Sequence, residues 1–192
     1  PVKLFSDLGV FDTRSTAAHC VWVEDGDLDI LADKGVTVAS CPVSNLKLAS
    51  GVADIPAMLK KGINVAIGTD SVASNNSLNF IEEMKFFALL NKERHSDPTL
   101  ITPVETLRAG TLAGALSQGR ENCGALKAGN RADLIVLDLT VPEMRPVHDL
   151  ATNVVYSASG SDVILTMADG KVLYRDGQYT TIDVEKAAAE TE

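Results

Sequence analysis

Only three histidines occur in the chain, His19, His95 and His148, and no two stand at a His-x-His or His-x-x-x-His spacing. A catalytic zinc ordinarily takes about three protein ligands, so this chain offers one good ligand, two at most, and not a complete site. The Pro-Cys-x-x-Cys element of the cytidine-type zinc deaminases is absent as well. Cysteine is scarce: Cys20, Cys41 and Cys123 are odd in number and far apart, which argues against a disulfide framework and for a reducing cytoplasm. Lysine and arginine total 17 against 26 acids, a net charge of −9, and form no cluster. A nucleic-acid partner would need a basic stripe, so that class is set aside. No apolar run approaches the ~20 residues of a membrane helix, and no charged-then-apolar stretch points to secretion.

What is present is ordinary globular material: 192 residues, 45% hydrophobic and 22% charged, enough for one good core. The chain opens at Pro1 and enters a helical pattern at once, which fits either processing or a portion of a longer polypeptide. Three strand–loop–helix repeats follow. Ser15 to Cys20, Val36 to Cys41 and Asn64 to Gly68 read as strands, apolar throughout as in a parallel sheet buried on both faces. Helices are predicted through Leu28 and Leu31 to Gly35, over 53–61 to Gly62, and over 77–91, with Ser44 to Gly51 left as a polar loop. Beyond residue 100 the texture changes. Thr102-Pro103 starts a helix, another covers 111–116, and Leu134 to Asp138 and Val154 to Tyr156 read as strands. Val163–Met167 and Lys171–Tyr174 flank the Asp169-Gly170 hairpin signal. A helix is predicted over 184–191.

In βα units, chemistry collects in the loops after the strand C-termini. Asp70 ends the third strand, where a carboxylate suits a divalent metal or the proton of an activated water; an N-capping role is the alternative. His19 ends the first strand on the same rim. It is either a satisfied core histidine or a group that hydrogen-bonds water or substrate. Ser44 and Asn45 after the second strand, and Ser74 and Asn75 after the third, either line a pocket or supply turn chemistry. Cys20 and Cys41 lack a base partner and read as packing. His95 and His148 sit in polar connectors.

Three segments in order carry a family resemblance: Ala18-His19-Cys20-Val21, Cys41-Pro42-Val43-Ser44-Asn45-Leu46-Lys47-Leu48-Ala49-Ser50-Gly51, and Gly68-Thr69-Asp70-Ser71-Val72-Ala73-Ser74-Asn75-Asn76. Glu82 to Lys85, Gly129 to Val136 and Pro142 to Pro146 extend it over nearly the whole chain. The sequence resembles the amidohydrolase superfamily, in particular the 5-methylthioadenosine/S-adenosylhomocysteine deaminases and their chlorohydrolase-like relatives.

That resemblance implies an α/β fold, the C-terminal portion (strands 6–8 and helices) of a metal-dependent (β/α)8 barrel plus part of a small β-sandwich. Residues 1–122 would form the partial barrel and 123–192 the sandwich portion with a terminal helix. It implies Asp70 as metal ligand and proton acceptor, His19 as the hydrogen-bond partner of the attacking water, and Ser44, Asn45, Ser74 and Asn75 as substrate-binding. The cofactor would be one divalent ion, Zn or Fe, and the substrate an adenosine-type nucleoside, with guanine- or chlorohydrolase-type heterocycles as the alternative. The family's His-x-His and strand-5 His-x-x-Glu have no counterpart here. The resemblance therefore implies a portion, inactive alone, that needs a complementary N-terminal part or oligomerises. Ser40 and Ser71 stand where relatives often carry His and Gly.

Overall fold

The computed structural model describes residues 1–191. Helix α1 (Val2–Asp7) ends at Gly9, whose φ of +73° suits a residue without Cβ. Strand β1 (Thr16–Ala18) leads to α2 (Asp25–Asp33), started by a Glu24/Asp27 capping box and closed at Gly35. Strand β2 (Thr37–Ser40) is followed by α3 (Pro42–Lys47) and α4 (Ile55–Lys60), and β3 (Val65–Ile67) by α5 (Val72–Asn75) and α6 (Phe80–His95). Helix α7 (Pro103–Gly110) carries a Thr102/Glu105 capping box and Pro103 in its first turn, and α8 (Leu112–Ser117) follows. The second half has β4 (Leu134–Leu137), α9 (Leu150–Tyr156), β5 (Val163–Ala168), β6 (Lys171–Arg175), β7 (Gln178–Tyr179) and α10 (Val184–Ala189).

Strands β1, β2 and β3 form a parallel sheet in that order, with Ala18 opposite Ala39 and Ser40 opposite Ile67. Their C-termini therefore end on one rim. Strands β4 to β7 form an antiparallel sheet, β5 and β6 joined through Asp169 and Gly170, both at positive φ as a tight primed turn requires. One core joins Leu31, Val38, Met58, Val65, Met84, Phe87 and Val155. Among the described residues no helix is long and apolar enough to cross a membrane.

Two local expectations are corrected. The segment read as a polar loop from Ser44 begins as helix α3: Pro42 sits in its first turn, and the Val43 N–H donates to Glu83 Oε2 at 3.2 Å. Val154 to Tyr156 are helical, although their β-branched composition suggests a strand. Asp149 caps that helix, accepting from the Thr152 amide at 2.7 Å, and Val155 is fully buried in the core. Capping and burial outweigh a strand propensity worth at most about 1 kcal/mol.

Candidate active-site rim

The parallel sheet brings four of the six singled-out residues into one cluster. His19 follows β1 directly, its N–H donating to the Ala39 carbonyl at 2.8 Å, and Asp70 lies three residues beyond β3. Both are left-handed, with φ of +66° and +61°. Non-glycine residues rarely accept that conformation, and when they do the surroundings must over-determine them. Here the positive φ turns both side chains toward each other: His19 Nε2 stands 3.8 Å from Asp70 Oδ2.

Each member is held from α3. Ser44, fully buried, donates its hydroxyl to Asp70 Oδ2 at 2.6 Å. The Ser71 N–H donates to Asp70 Oδ1 at 2.8 Å. The Ser44 bond above all, then the Ser71 amide and the Ser74 hydroxyl, hold the Asp70 carboxyl below the usual carboxylate range. Asp70 is thus an anion at neutral pH, although it is only partly covered. Asn45, 4% exposed, places Oδ1 2.9 Å from His19 Nδ1. That contact makes His19 Nδ1 the donor and, in the neutral ring, leaves the Nε2 lone pair facing the carboxylate. Two acceptors face each other across 3.8 Å, an arrangement that suits a proton-bearing water or a cation.

The other two residues sit differently. Ser74, half-buried, donates to the Ser71 carbonyl at 3.1 Å at the edge of the cluster. Asn75 is turned inward: its amide donates to the Thr69 carbonyl at 2.7 Å and to Glu83 Oε1, and its Oδ1 has no partner among the described residues. Glu83, 1% exposed, is a residue to which sequence reasoning assigned no role. Its signal was there, an acid on the helix face that carries Phe87 one turn later. Burial pushes the Glu83 carboxyl up, while the Val43 and Asn75 donors pull it back. His95 pairs with Asp54 at 3.1 Å and with none of the rim residues named above.

A metal fits this donor set only in part. Asp70 offers an ionised, preorganised carboxylate, a donor type that zinc accepts. Among the described residues, however, no group of three or more His, Cys, Asp and Glu is arranged to hold a metal ion.

The two rim cysteines behave as packing groups. Burial first, then Asp70 and Glu83, raise Cys41 to about 11 from 9.0; burial, then Asp27, raise Cys20 to about 11. Because thiolate is the reactive form, alkylation of Cys41 by iodoacetamide at pH 8 is expected to run about a hundredfold slower in the native protein than in denaturant. Equal rates would contradict this placement. The unfolded thiols lose their protons before the folded ones, so stability is expected to fall as pH rises from 9.0 to about 11.

Residues 1–173 match the model described as the amidohydrolase family. The chain is 44% identical over 191 residues to a 5'-deoxyadenosine deaminase of Methanosarcina mazei, covering 100% of this chain and 44% of that relative. It is 46% identical over 185 residues to a 5-methylthioadenosine/S-adenosylhomocysteine deaminase of Nitratidesulfovibrio vulgaris, covering 96% of this chain and 42% of that protein. Among solved structures, an adenosine deaminase from Xanthomonas campestris with bound zinc matches with a TM-score of 0.96 at 34% identity, covering 99% of this chain and 44% of that one. The chain spans less than half the length of the curated relatives it matches.

Proposed function

We propose that this chain, which belongs to the amidohydrolase family, carries the Asp70–His19 part of a site that hydrolytically deaminates an adenosine-type nucleoside. The observation that supports this most is the confrontation of His19 Nε2 and Asp70 Oδ2 at 3.8 Å, each side chain fixed by a buried residue of α3. A divalent cation, zinc by likeness to the zinc-bound neighbour, would take Asp70 as one ligand and supply an activated water at neutral pH.

The chain's own residues do the rest of their share as follows. Asp70, kept ionised by Ser44, Ser71 and Ser74, accepts the proton of the attacking water. His19, with Nδ1–H committed to Asn45, receives a hydrogen bond from that water at Nε2 and fixes its direction of attack. The water oxygen adds to the ring carbon that bears the amino group; the amino nitrogen then takes the proton held by Asp70, the carbon–nitrogen bond breaks, and ammonia leaves as the carbonyl forms. The proton for the ring nitrogen, and the remaining metal ligands, come from the part of the relatives that this chain does not match. Ser44 and Asn45 act on the substrate through Asp70 and His19, and Ser74 is a further hydroxyl at the edge of the cluster.

In the same reading β1, β2 and β3 are strands 6, 7 and 8 of a (β/α)8 barrel. Residues 1–122 belong to the barrel and 123–192 to a sandwich shared with the other chain end. The outer flanks of β1 and β3, unpaired among the described residues, are where further strands would add.

The test is ammonia release by the zinc-loaded natural gene product from methylthioadenosine, S-adenosylhomocysteine, 5'-deoxyadenosine and adenosine. Turnover of at least one is expected, and none by the 192-residue chain alone. Release confined to guanine, or chloride from an s-triazine, would move the reading to another branch of the family, and no turnover of any would end it.

A further inference from the structure

A carboxylate with no place in the chemistry above sits behind it. Glu83 lies in the first turn of α6, where the helix dipole favours a negative charge. Its helix is anchored in the core by Ile81, Met84, Phe87 and Ala88, the last two essentially fully buried. Each of its two oxygens accepts from a different short helix, α3 or α5. Oε2 takes the Val43 N–H at 3.2 Å, and Oε1 takes the Asn75 side-chain amide. Val43 immediately precedes Ser44, which donates to Asp70 at 2.6 Å. The same Asn75 amide donates at 2.7 Å to the carbonyl of Thr69, the residue before left-handed Asp70.

From this geometry we propose that Glu83 is a positioning residue: one buried carboxylate that ties the α3 wall and the β3–α5 wall together and so sets the pose of Asp70. The proposal rests on the reading of Asp70 as the reacting carboxylate. A bulk-stability role alone would need neither two donors from separate rim segments nor both paths ending on Asp70. The arrangement also demands an anion. A glutamine at 83 presents one acceptor and one donor, so its amide must face either the Val43 N–H or the Asn75 amide. Asn75 cannot turn over to relieve this, because its Oδ1 would then oppose the Thr69 carbonyl.

Glu83→Gln and Asn75→Ala in the zinc-loaded natural gene product test this. Each is expected to weaken zinc affinity about tenfold or more, the range seen when outer partners of a metal ligand are lost, and to lower kcat by a similar factor with KM within about twofold. The double variant is expected to be little worse than the weaker single one, since both cut the same chain of bonds. Cooperative melting with zinc affinity and kcat both within about twofold of wild type would overturn the proposal, and so would fully additive losses. Should Glu83→Gln fail to fold, Asn75→Ala carries the test, as it leaves the Val43 bond intact. Two readouts stand apart from any turnover and are taken in the metal-free protein. Val43 amide exchange should accelerate at least about tenfold in Glu83→Gln, and the Asp70 side-chain carboxyl 13C resonance should move in both variants. If they move while no nucleoside is deaminated, the brace stands and the deaminase reading falls. If they stay put in an active enzyme, the brace falls.

Discussion

Asp70→Asn is expected to lower kcat for nucleoside deamination by about a thousandfold or more in the natural gene product, with little change in folding. The substitution is nearly isosteric: the remaining oxygen can keep the Ser71 N–H, and the Ser44 hydroxyl can rotate to accept from the new amide. What disappears is the charge. The site loses an anionic ligand and the group that accepts the water's proton, and proton transfer by a placed side chain is alone worth about 10² to 10⁴ in rate. Steady-state ammonia release, read beside the zinc content of the purified variant, separates the two losses. A variant that kept a tenth of the wild-type kcat would remove Asp70 from the proposed chemistry. The contrast with Ser44→Ala is informative. That change leaves the carboxylate but takes away the first cause of its lowered pKa, so the Asp70 pKa should move upward toward the ordinary range. The contribution of that ionised group to stability is present above the unfolded pKa and is lost as pH falls through the folded one, so in the wild type it persists to lower pH than in Ser44→Ala.

Phe87→Ala is the substitution expected to cost most in stability, about 3–5 kcal/mol. Phe87 is 1% exposed, at the middle of the helix that carries Glu83, and the core it fills also holds Leu31 of α2, Met58 of α4 and Val155 of α9. Removing the ring leaves a cavity in the core cluster that also holds Met84, Ala88 and Val65. At about 2–4 °C per kcal/mol for a protein of this size, the melting temperature should fall by about 6–20 °C. Leu89, two positions on and 41% exposed, is the control: Leu89→Ala should shift it by only a few degrees. Equal shifts for the two would mean that α6 does not pack as described. Because Glu83 rides on the same helix, Phe87→Ala should also reduce activity per folded molecule, whereas Leu89→Ala should not.

The relation between sequence and site differs from residue to residue. His19 and Asp70 were legible because a polar residue at the end of an apolar strand is placed by the period of the strand itself, and a parallel sheet puts successive C-termini on one side. The hairpin at Asp169-Gly170 and the helix start at Thr102-Pro103 were legible for the same kind of reason, since each depends on the conformational limits of a few adjacent residues. Helix α3 was not. Its polar residues resemble a loop because the partners that make them acceptable inside, Asp70 for Ser44, His19 for Asn45 and Glu83 for the Val43 amide, lie between 26 and 40 residues away. Val154 to Tyr156 misled in the opposite direction, their local preference for a strand being overruled by an Asp149 cap and by burial against α6 and α7.

The sequence by itself therefore determined that three strands end in polar residues on one rim, His19 and Asp70 among them, from local patterning, and pointed to the family through short motifs. Only the tertiary structure decided how those residues are held: the left-handed turns that aim His19 and Asp70, the α3 serine and asparagine that fix them, and the single buried Glu83 behind both walls. Hydrogen bonds between distant segments have no periodicity to read, and a buried charge declares its purpose only when its donors are in place.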